Sequence, residues 1–550
     1  MLYKDISKII GRFLFILAAS FTLPLCLAVY YQFFASPAEH PQPHSTLAFF
    51  ESMLLTASLG LLFSHMGKGS RGTLFRRESF AVVVSLWFLA PAVAAMPFLF
   101  SETLVNPLQA YFEAASGLTT TGATVLQAKH YDPSTGQEVP IRKNVCGPLD
   151  TTYEFYGTVN PVRDPYTHKV LYEGIDAVSK AVLFWRSFLQ WVGGGGIVVL
   201  FVAVLPMLGV GGKLLFQAET SGPVKGGLTP RIKETAVQLW KIYLGLTLVQ
   251  IFLLLMTNRH MHWLDAVTLS FSTISTGGFT IRDAGVSYYN NAYTDWIIIL
   301  FMVLGSINFS LYHFVLKGKF YRVYEPEFLI YLLILLLCCS SACLILMDSS
   351  IISLDGKMEG IWTAAKAVRY GTFQVVSAIT STGFTIFDYN YSPYFVQILL
   401  LVIMYVGGMS GSTAGGIKII RHYMLFRILQ HKVESLFSPE TVRTFRVGEK
   451  EIGHETSILV LLFFAVIIAC SAAGVFFYAA EGYDPETSLS IVACMINNVG
   501  MGFRMAGPTG SFAFLSDASL AASSFLMILG RLEFFAVLVL LVPAFWKQNA

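Results

Sequence analysis

Charged residues are scarce in this sequence of 550 residues. Asp, Glu, Lys and Arg make up 13% of it, about half the share that soluble domains carry, while hydrophobic residues make up 55%. No polar stretch is long enough to separate soluble domains, and the net charge of +3 gives no indication of a nucleic-acid partner. Apolar runs of about 20 residues recur from end to end, which predicts an all-α polytopic membrane protein.

The sequence also has little that could carry enzymatic or cofactor chemistry. Its seven cysteines form no CxxC pair and no Cys/His cluster at metal-ligand spacing. The histidines near predicted helix ends have no nucleophile or metal-ligand partner at helical spacing, so we do not expect an enzyme. There is no P-loop and no GxGxxG after a predicted strand, so we expect no cofactor in this chain.

Ten of the apolar runs are long enough to cross a bilayer of about 30 Å as helices. The predicted spans are 12–34, 47–66, 79–100, 180–205, 235–257, 292–316, 327–347, 394–430, 456–480 and 517–545. Lys and Arg concentrate at alternate ends of these spans, and the positive-inside rule then places both termini in the cytoplasm. We interpret Trp185 and Arg186 as ordinary interface anchors.

Four shorter amphipathic stretches lie between the spans. As helices they would be roughly 18–25 Å long, too short to cross the bilayer, so we predict four re-entrant half-helices. They are 107–118, 263–274, 363–379 and 485–496. Each leads into a loop in which Thr, Ser or Asn precedes glycine. These loops read TTTGAT (119–124), STGGF (275–279), TSTGF (380–384) and NNVGMG (497–502).

The order span, half-helix, glycine loop, span occurs four times, which predicts a pseudo-four-fold arrangement. The step from Gly277 to Gly383 is 106 residues and the step to Gly500 is 117. The step from Gly122 is longer because of a polar insertion at about 129–173, which we interpret as a surface loop. The predicted units are two N-terminal transmembrane helices (1–77) and pore repeats 78–232, 233–325, 326–452 and 453–550.

A four-fold ring of such loops can replace the water around a dehydrated K⁺ with backbone carbonyl oxygens. Glycine lets the backbone turn its carbonyls toward an axis, and the C-terminal end of each half-helix carries partial negative charge. We therefore predict a K⁺ selectivity filter. Its residues are Thr120, Thr121, Gly122, Thr276, Gly277, Thr382, Gly383, Asn498, Val499 and Gly500.

A glycine-rich segment, GGMSGSTAGG (407–416), interrupts the span 394–430. So many glycines break a helix, and unwound backbone at membrane depth must lie inside protein or beside water. Together with a charge in the last span, this segment is a candidate gate. The gating residues are Gly407, Gly408, Gly411, Ser412, Thr413, Gly415, Gly416 and Arg531. A glycine packing seam and a structural ion pair of Arg531 with Glu533 remain open.

Longer motifs resemble the TrkH/KtrB superfamily of potassium transporters, and its TrkH branch more closely. The resemblance runs from about residue 8 to 547, apart from the insertion at 129–173. It rests on AASGLTTTGAT (114–124), LFWRSFLQWVGGGGI (183–197), LPMLGVGG (205–212), AETSGPVKGGLTPRIKETA (218–236), FSTISTGGF (271–279), GSINFSLY (305–312), TSTGF (380–384), GGMSGSTAGGIKIIR (407–421), NNVGMGF (497–503) and GRLEFFAVLVLLVPAFW (530–546).

The resemblance implies a subunit for uptake of K⁺, and of Rb⁺, in a bacterial inner membrane. It also implies a homodimer with one pore in each protomer, and a cytoplasmic TrkA-like ring of nucleotide-binding regulatory subunits. The family's filter glycines map onto Gly122, Gly277, Gly383 and Gly500. Its gating loop maps onto 407–416 and its pore arginine onto Arg531.

Of two other interpretations, coupled symport stays open and a structural or receptor role is disfavoured. A Na⁺- or H⁺-coupled K⁺ symporter using the same pore is the main alternative. Against it, the sequence has no convincing chain of membrane-buried Asp, Glu or His to relay protons, and Glu113 and Glu533 are the nearest candidates. A structural or receptor role would leave four matched half-helices unexplained. The basic inner face, especially 418–450, could bind either the regulatory ring or anionic membrane lipids.

Overall fold

The computed structural model describes residues 3–36, 40–69, 76–132, 134–145, 151–164, 166–203, 230–347, 349–352, 358–437, 446–447, 450–451 and 454–546. Helices dominate, as predicted. They are Tyr3–Ser20, Thr22–Phe33, Thr46–Met66, Arg76–Ala94, Met96–Phe100, Pro107–Leu118, Lys180–Ala203, Pro230–Thr257, Trp263–Ile274, Ala292–Ser306, Phe309–Leu316, Pro326–Leu346, Ala364–Ile379, Tyr394–Met404, Ile419–Phe437, His454–Ala480, Pro485–Ile496, Asp517–Arg531, Phe535–Leu541 and Pro543–Trp546.

Strands are few and short, and they form antiparallel pairs. The pairs are His130–Tyr131 with Glu138–Val139, Ile141–Val145 with Thr151–Phe155, Val162–Arg163 with Val170–Tyr172, Ser350–Ile352 with Met358–Ile361, and Arg446–Val447 with Lys450–Glu451. Short 3₁₀ turns complete the loops. They are Gly174–Ala177, Gly285–Tyr289, Phe320–Tyr324, Tyr389–Tyr391, Arg504–Ala506 and Phe512–Phe514.

Long apolar helices account for most of the predicted spans. The described residues include six helices long and apolar enough to cross a membrane, and up to eight if each of two bent pairs counts as one span. All eight coincide with predicted spans. The predicted span 180–205 is the helix Lys180–Ala203, and its last two residues lie outside the described residues, as do the family motif at 205–212 and most of 218–236. The count of ten and the orientation stay predictions.

The four half-helices are Pro107–Leu118, Trp263–Ile274, Ala364–Ile379 and Pro485–Ile496, so their predicted bounds are correct to within one residue. Each begins at a residue whose side chain accepts a hydrogen bond from the first turn. These residues are Asn106, His262, Thr363 and Asp484. Such caps satisfy amides that a helix start leaves unpaired, which allows short helices to begin at fixed points.

The half-helices are far more enclosed than the spans. In Pro485–Ile496 every residue from Ser490 to Ile496 is buried, whereas the span Pro326–Leu346 leaves leucines such as Leu333 and Leu336 exposed. Half-helices that end at membrane depth must be enclosed by protein, because lipid cannot satisfy the backbone groups of the loops that follow them.

The polar insertion folds into three hairpins and is not a simple surface loop. The Thr158 hydroxyl donates to the carbonyl of Val125, 2.7 Å away, and accepts from the amide of Gln127 at 2.9 Å. Tyr153 donates to Asp484, which caps the fourth half-helix. The insertion therefore braces the segment that follows the first glycine loop against the start of the fourth half-helix.

Candidate functional site

The four glycine loops share one backbone conformation. In each, a polar residue with positive φ is followed by one residue outside that region and then by a glycine with positive φ. The φ values are 55° and 82° at Thr120 and Gly122, 53° and 83° at Thr276 and Gly278, 54° and 82° at Ser381 and Gly383, and 53° and 79° at Asn498 and Gly500. Agreement this close shows that the repeat extends to individual torsion angles.

The loops touch one another in a closed circle. A Cβ atom added to each positive-φ glycine would lie 2.0–2.1 Å from a carbonyl oxygen of the next loop. The pairs are Gly122 with Gly277, Gly278 with Thr382, Gly383 with Val499, and Gly500 with Thr121. The fourth loop thus returns to the first. Both the positive φ and the lack of space exclude a side chain at these glycines. We call Thr121, Gly277, Thr382 and Val499, whose carbonyls take part, the carbonyl ring.

The structure corrects the predicted alignment of the second loop by one residue. Gly278, and not Gly277, is equivalent to Gly122, Gly383 and Gly500 in torsion angle and in contact. Gly277 takes the position of the carbonyl ring. The sequence STGGF has two consecutive glycines, so sequence alone cannot tell which one adopts the positive φ. The predicted filter residues also omitted Ser381, which precedes Thr382 as Thr120 precedes Thr121 and has the same positive φ.

Each residue of the carbonyl ring is anchored to the half-helix before it. Its amide donates to a carbonyl in the last turns of that half-helix at 2.7–3.0 Å. The pairs are Thr121 with Ser116, Gly277 with Ser272, Thr382 with Ser377, and Val499 with Cys494. The partially negative end of every half-helix is thereby directed to the ring, where it favours a cation.

A hydrogen bond between neutral side chains also joins two of the loops. Thr121 and Asn498, both buried, join the first and fourth loops through a hydrogen bond of 3.0 Å. Among the described residues, no group of three or more His, Cys, Asp or Glu side chains could hold a metal ion. Backbone carbonyls suit hard cations, and a ring of them can replace the hydration shell of an ion such as K⁺.

An unwound segment lies against the ring. Residues 405–418 separate the helices Tyr394–Met404 and Ile419–Phe437, and they include the predicted 407–416. The Thr413 hydroxyl donates to the carbonyl of Ile274 at 2.9 Å, and the Gly415 amide donates to the Ser381 hydroxyl at 2.5 Å. A Cβ on Gly415 would lie 2.3 Å from the carbonyl oxygen of Asn497. This inner loop (405–418) therefore contacts the ends of three half-helices.

Arg531 holds the inner loop from the opposite side. Its side chain is buried, and its Nη1 donates to the carbonyl of Thr413 at 2.9 Å, while Nε and Nη2 have no partner among the described residues. Glu533 contacts Arg421 and not Arg531, so the open alternative of an Arg531–Glu533 ion pair is not formed. A cavity between the loops is lined by Ala414, Gly415, Gly416, Lys418, Asn498, Gly530, Arg531 and Glu533.

Arg186 is another buried cation, and the interpretation of it as an interface anchor is wrong. It is 1% exposed, and its Nε lies 2.7 Å from the Oε1 of Glu113 in the first half-helix. Its other nitrogens donate to the Thr280 carbonyl and the Thr124 hydroxyl, each at 3.1 Å. Arg186 thus ties together the segments that follow the first two loops. In the sequence, the one signal for this role is that Arg186 and Glu113 are two charged residues of opposite sign at membrane depth, which could pair.

The fold and the ring define a class of polytopic membrane protein with a four-fold repeated re-entrant core, suited to ion transport. A family model described as TrkH, a cation transport protein, matches residues 167–548. The chain therefore belongs to the TrkH family of cation transport proteins, and its relatives are named as transporters and not as enzymes.

Relatives match along the whole chain. It is 31% identical over 552 residues to the Trk system potassium uptake protein TrkH of Salmonella typhimurium, covering 100% of each. It is 32% identical over 517 residues to the protein of that name from Halomonas elongata, covering 91% and 92%. The crystal structure of the potassium transporter TrkH from Vibrio parahaemolyticus is similar, with a TM-score of 0.78 and 28% identity over 100% of both chains.

Proposed function

We propose that this chain takes up K⁺ across a bacterial inner membrane through a single-chain pore of four repeats. The closed carbonyl ring carries the proposal, because four neutral oxygen atoms at the ends of four half-helices favour a dehydrated monovalent cation. The names of the relatives, which are potassium uptake proteins, support K⁺ as the ion.

In this proposal the four glycine loops form the selectivity filter. The predicted residues Thr120, Thr121, Gly122, Thr276, Gly277, Thr382, Gly383, Asn498, Val499 and Gly500 keep that role. Gly278 and Ser381 join them, since they hold the torsion angles of Gly122 and Thr120 in their own loops.

The inner loop and Arg531 form the proposed gate. Their contacts support this role, because a buried guanidinium beside the path of a cation raises an electrostatic barrier. Gly407, Gly408, Gly411, Ser412, Thr413, Gly415 and Gly416 give the loop its unwound form. Conduction then requires Arg531 and the loop to move aside together.

Partners and topology are proposed from the family resemblance. We infer a homodimer with a pore in each protomer, a cytoplasmic TrkA-like ring that binds nucleotide, and contacts with membrane lipids. Both termini lie in the cytoplasm, in agreement with the positive-inside rule.

Coupled symport of Na⁺ or H⁺ with K⁺ is the alternative, and two contacts argue against it. Both carboxylates that sequence offered for a proton relay contact an arginine, Glu113 with Arg186 and Glu533 with Arg421. Each carboxylate is therefore already the partner of a buried arginine, and neither belongs to a chain of acidic groups among the described residues.

Rb⁺ uptake tests the proposal, measured in bacterial cells that lack their own K⁺ uptake and in proteoliposomes. We expect uptake that K⁺ inhibits more strongly than Na⁺ or choline. Gly383→Ser should abolish that uptake, because its Cβ would lie 2.0 Å from the Val499 carbonyl oxygen. Gly318→Ser is the control, since Gly318 also has positive φ but no atom within 4 Å of an added Cβ. Failure to restore uptake in cells would contradict the proposal. Dependence on a Na⁺ or pH gradient would favour symport.

A further inference from the structure

One of the four oxygens of the carbonyl ring differs from the others. The carbonyl of Gly277 accepts a hydrogen bond from the Nε2 of Gln190, 2.6 Å away. The carbonyls of Thr121, Thr382 and Val499 accept no hydrogen bond from the residues that the structure describes. The backbone of the ring therefore repeats four times, but the hydrogen bonding of its four carbonyl oxygens does not.

The side chain of Gln190 is held in one orientation. It lies on the helix Lys180–Ala203 and is fully buried. Its Oε1 accepts from the amide of Phe279 at 3.1 Å while its Nε2 donates to Gly277. A flipped amide would place donor against donor and acceptor against acceptor, so these two contacts determine which atom faces the ring.

Gln190 also explains why the second loop has an extra glycine. The other three loops carry Thr121, Thr382 and Val499 at the position of Gly277. A Cβ on Gly277 would lie 2.4 Å from the Cδ of Gln190, and φ at Gly277 lies outside the positive region that favours glycine. Glycine is therefore needed at this position for space. The amide of Gln190 occupies the volume that a side chain fills in the other repeats.

We propose that Gln190 is a positioning residue that sets the preference of the carbonyl ring for K⁺ over Na⁺. This inference rests on the proposed function. A carbonyl that accepts a hydrogen bond from a fixed amide is held in place and offers less electron density to an ion. Both effects disfavour Na⁺, since the smaller ion needs oxygens that move inward and bind it more strongly.

Replacing Gln190 with methionine removes the donor and nearly keeps the volume. We expect Gln190→Met to retain Rb⁺ uptake and to lower the ratio of K⁺ to Na⁺ inhibition about fivefold, the factor that corresponds to one buried hydrogen bond. Gln250→Met is the matched control. Gln250 is also fully buried, lies on the helix Pro230–Thr257 and has no amide partner among the described residues. An unchanged ratio in Gln190→Met would overturn the proposal.

A second test uses the predicted clash and does not depend on the isosteric variant. Gly277→Ala should lower uptake, because its Cβ would displace the Gln190 amide from its two hydrogen bonds. The double variant Gln190→Ala/Gly277→Ala should regain uptake but with weaker K⁺ preference. Gln190→Ala/Gly278→Ala should not recover, because a Cβ on Gly278 meets the Thr382 carbonyl at 2.0 Å. Failure of the first double variant to recover would contradict the assigned contact.

The same purified proteins separate failure of this inference from failure of the proposed function. Melting temperatures in KCl and in NaCl report ion binding without requiring an open gate. Wild-type protein without K⁺ uptake in cells and without K⁺-dependent stabilisation would overturn the proposed function and this inference with it. If the wild-type protein shows both K⁺ uptake and K⁺-dependent stabilisation, and Gln190→Met has the same K⁺ preference, only the proposed role of Gln190 is overturned.

Discussion

The carbonyl ring and the inner loop lie in contact but are built on different principles. The ring comes from four equivalent loops, and the close approach of each loop to the next and its anchoring to the half-helices involve backbone atoms. The inner loop occurs in the third repeat, and side chains such as those of Thr413, Ser381 and Arg531 hold it. Ion binding needs ligands on all sides of an axis, whereas a proposed gate needs only one obstacle on that axis.

The two regions should also respond differently to substitution. At the ring glycines, backbone oxygens lie 2.0–2.1 Å from any added Cβ, so there is nothing flexible to move away. The inner loop depends on individual hydrogen bonds, each of which contributes about 1 kcal/mol. Changes at the ring glycines should therefore destroy function, while the loss of one side-chain hydrogen bond in the inner loop should have a smaller effect.

The largest effect should come from Gly122→Ala. This glycine has a φ of 82°, and an added Cβ would lie 2.1 Å from the Gly277 carbonyl oxygen. We expect Rb⁺ uptake in cells to fall at least tenfold, with the protein still present in the membrane. Gly136→Ala, at a φ of 66° with no atom within 4 Å, carries a similar torsional cost of about 1 kcal/mol and should keep wild-type uptake. Equal losses of Rb⁺ uptake in both variants would show that the strained φ, and not the contact between neighbouring loops, causes the loss.

Arg531→Ala should have an intermediate effect of opposite sign. It removes a buried positive charge and the hydrogen bond to the Thr413 carbonyl, so the inner loop should leave the pathway more often. We expect the initial rate of Rb⁺ uptake into proteoliposomes to rise severalfold. Arg427→Ala removes a partly exposed arginine of the helix Ile419–Phe437 and should leave the rate unchanged. A lower rate in Arg531→Ala would mean that the arginine supports conduction.

The smallest effect should come from Asp388, which lies in the segment that follows the third glycine loop. Burial raises the pKa of Asp388 above its ordinary value of 3.8, although bonds from Asn390 and the charge of Lys143 oppose this. A raised pKa in the folded state means that stability is lost as the pH rises through it. Asp388→Asn should therefore raise the melting temperature by about one degree at pH 7 and not at pH 4.

Asn at position 388 can still accept the hydrogen bond that Asp388 receives from the amide of Asn390. The comparison thus isolates the charge. A lower melting temperature at pH 7 would show that attraction to Lys143, which the outer insertion carries, outweighs the effect of burial.

The half-helices were predictable because local chemistry specifies them. Proline or a capping side chain begins each one, an amphipathic pattern continues it, and a polar glycine loop ends it, as in Pro107–Leu118 and Pro485–Ile496. These signals lie within about 15 residues of one another, so the rest of the fold was not needed to place them. The break at 405–418 was predictable for the same reason, since clustered glycines do not sustain a helix.

Other features depended on partners distant in sequence. Arg186 meets Glu113 across 73 positions, and Gln190 meets Gly277 across 87. Neither pair follows a local period, and each arginine or glutamine alone resembles an ordinary residue of a membrane helix. The hairpins of the insertion were missed because a Pro- and Thr-rich stretch gives no strong strand signal.

By itself, the sequence determined that this chain is a helical membrane protein with four glycine loops, each at the end of a half-helix, because hydropathy, caps and glycine act on neighbouring residues. The tertiary structure decided which glycine of the pair at 277–278 has the positive φ, which carbonyl lies against each of these glycines, and that Arg531 donates to the inner loop while Glu533 contacts Arg421. Those outcomes depend on distances of a few ångströms between repeats, and such distances are fixed only when all four repeats pack around one axis.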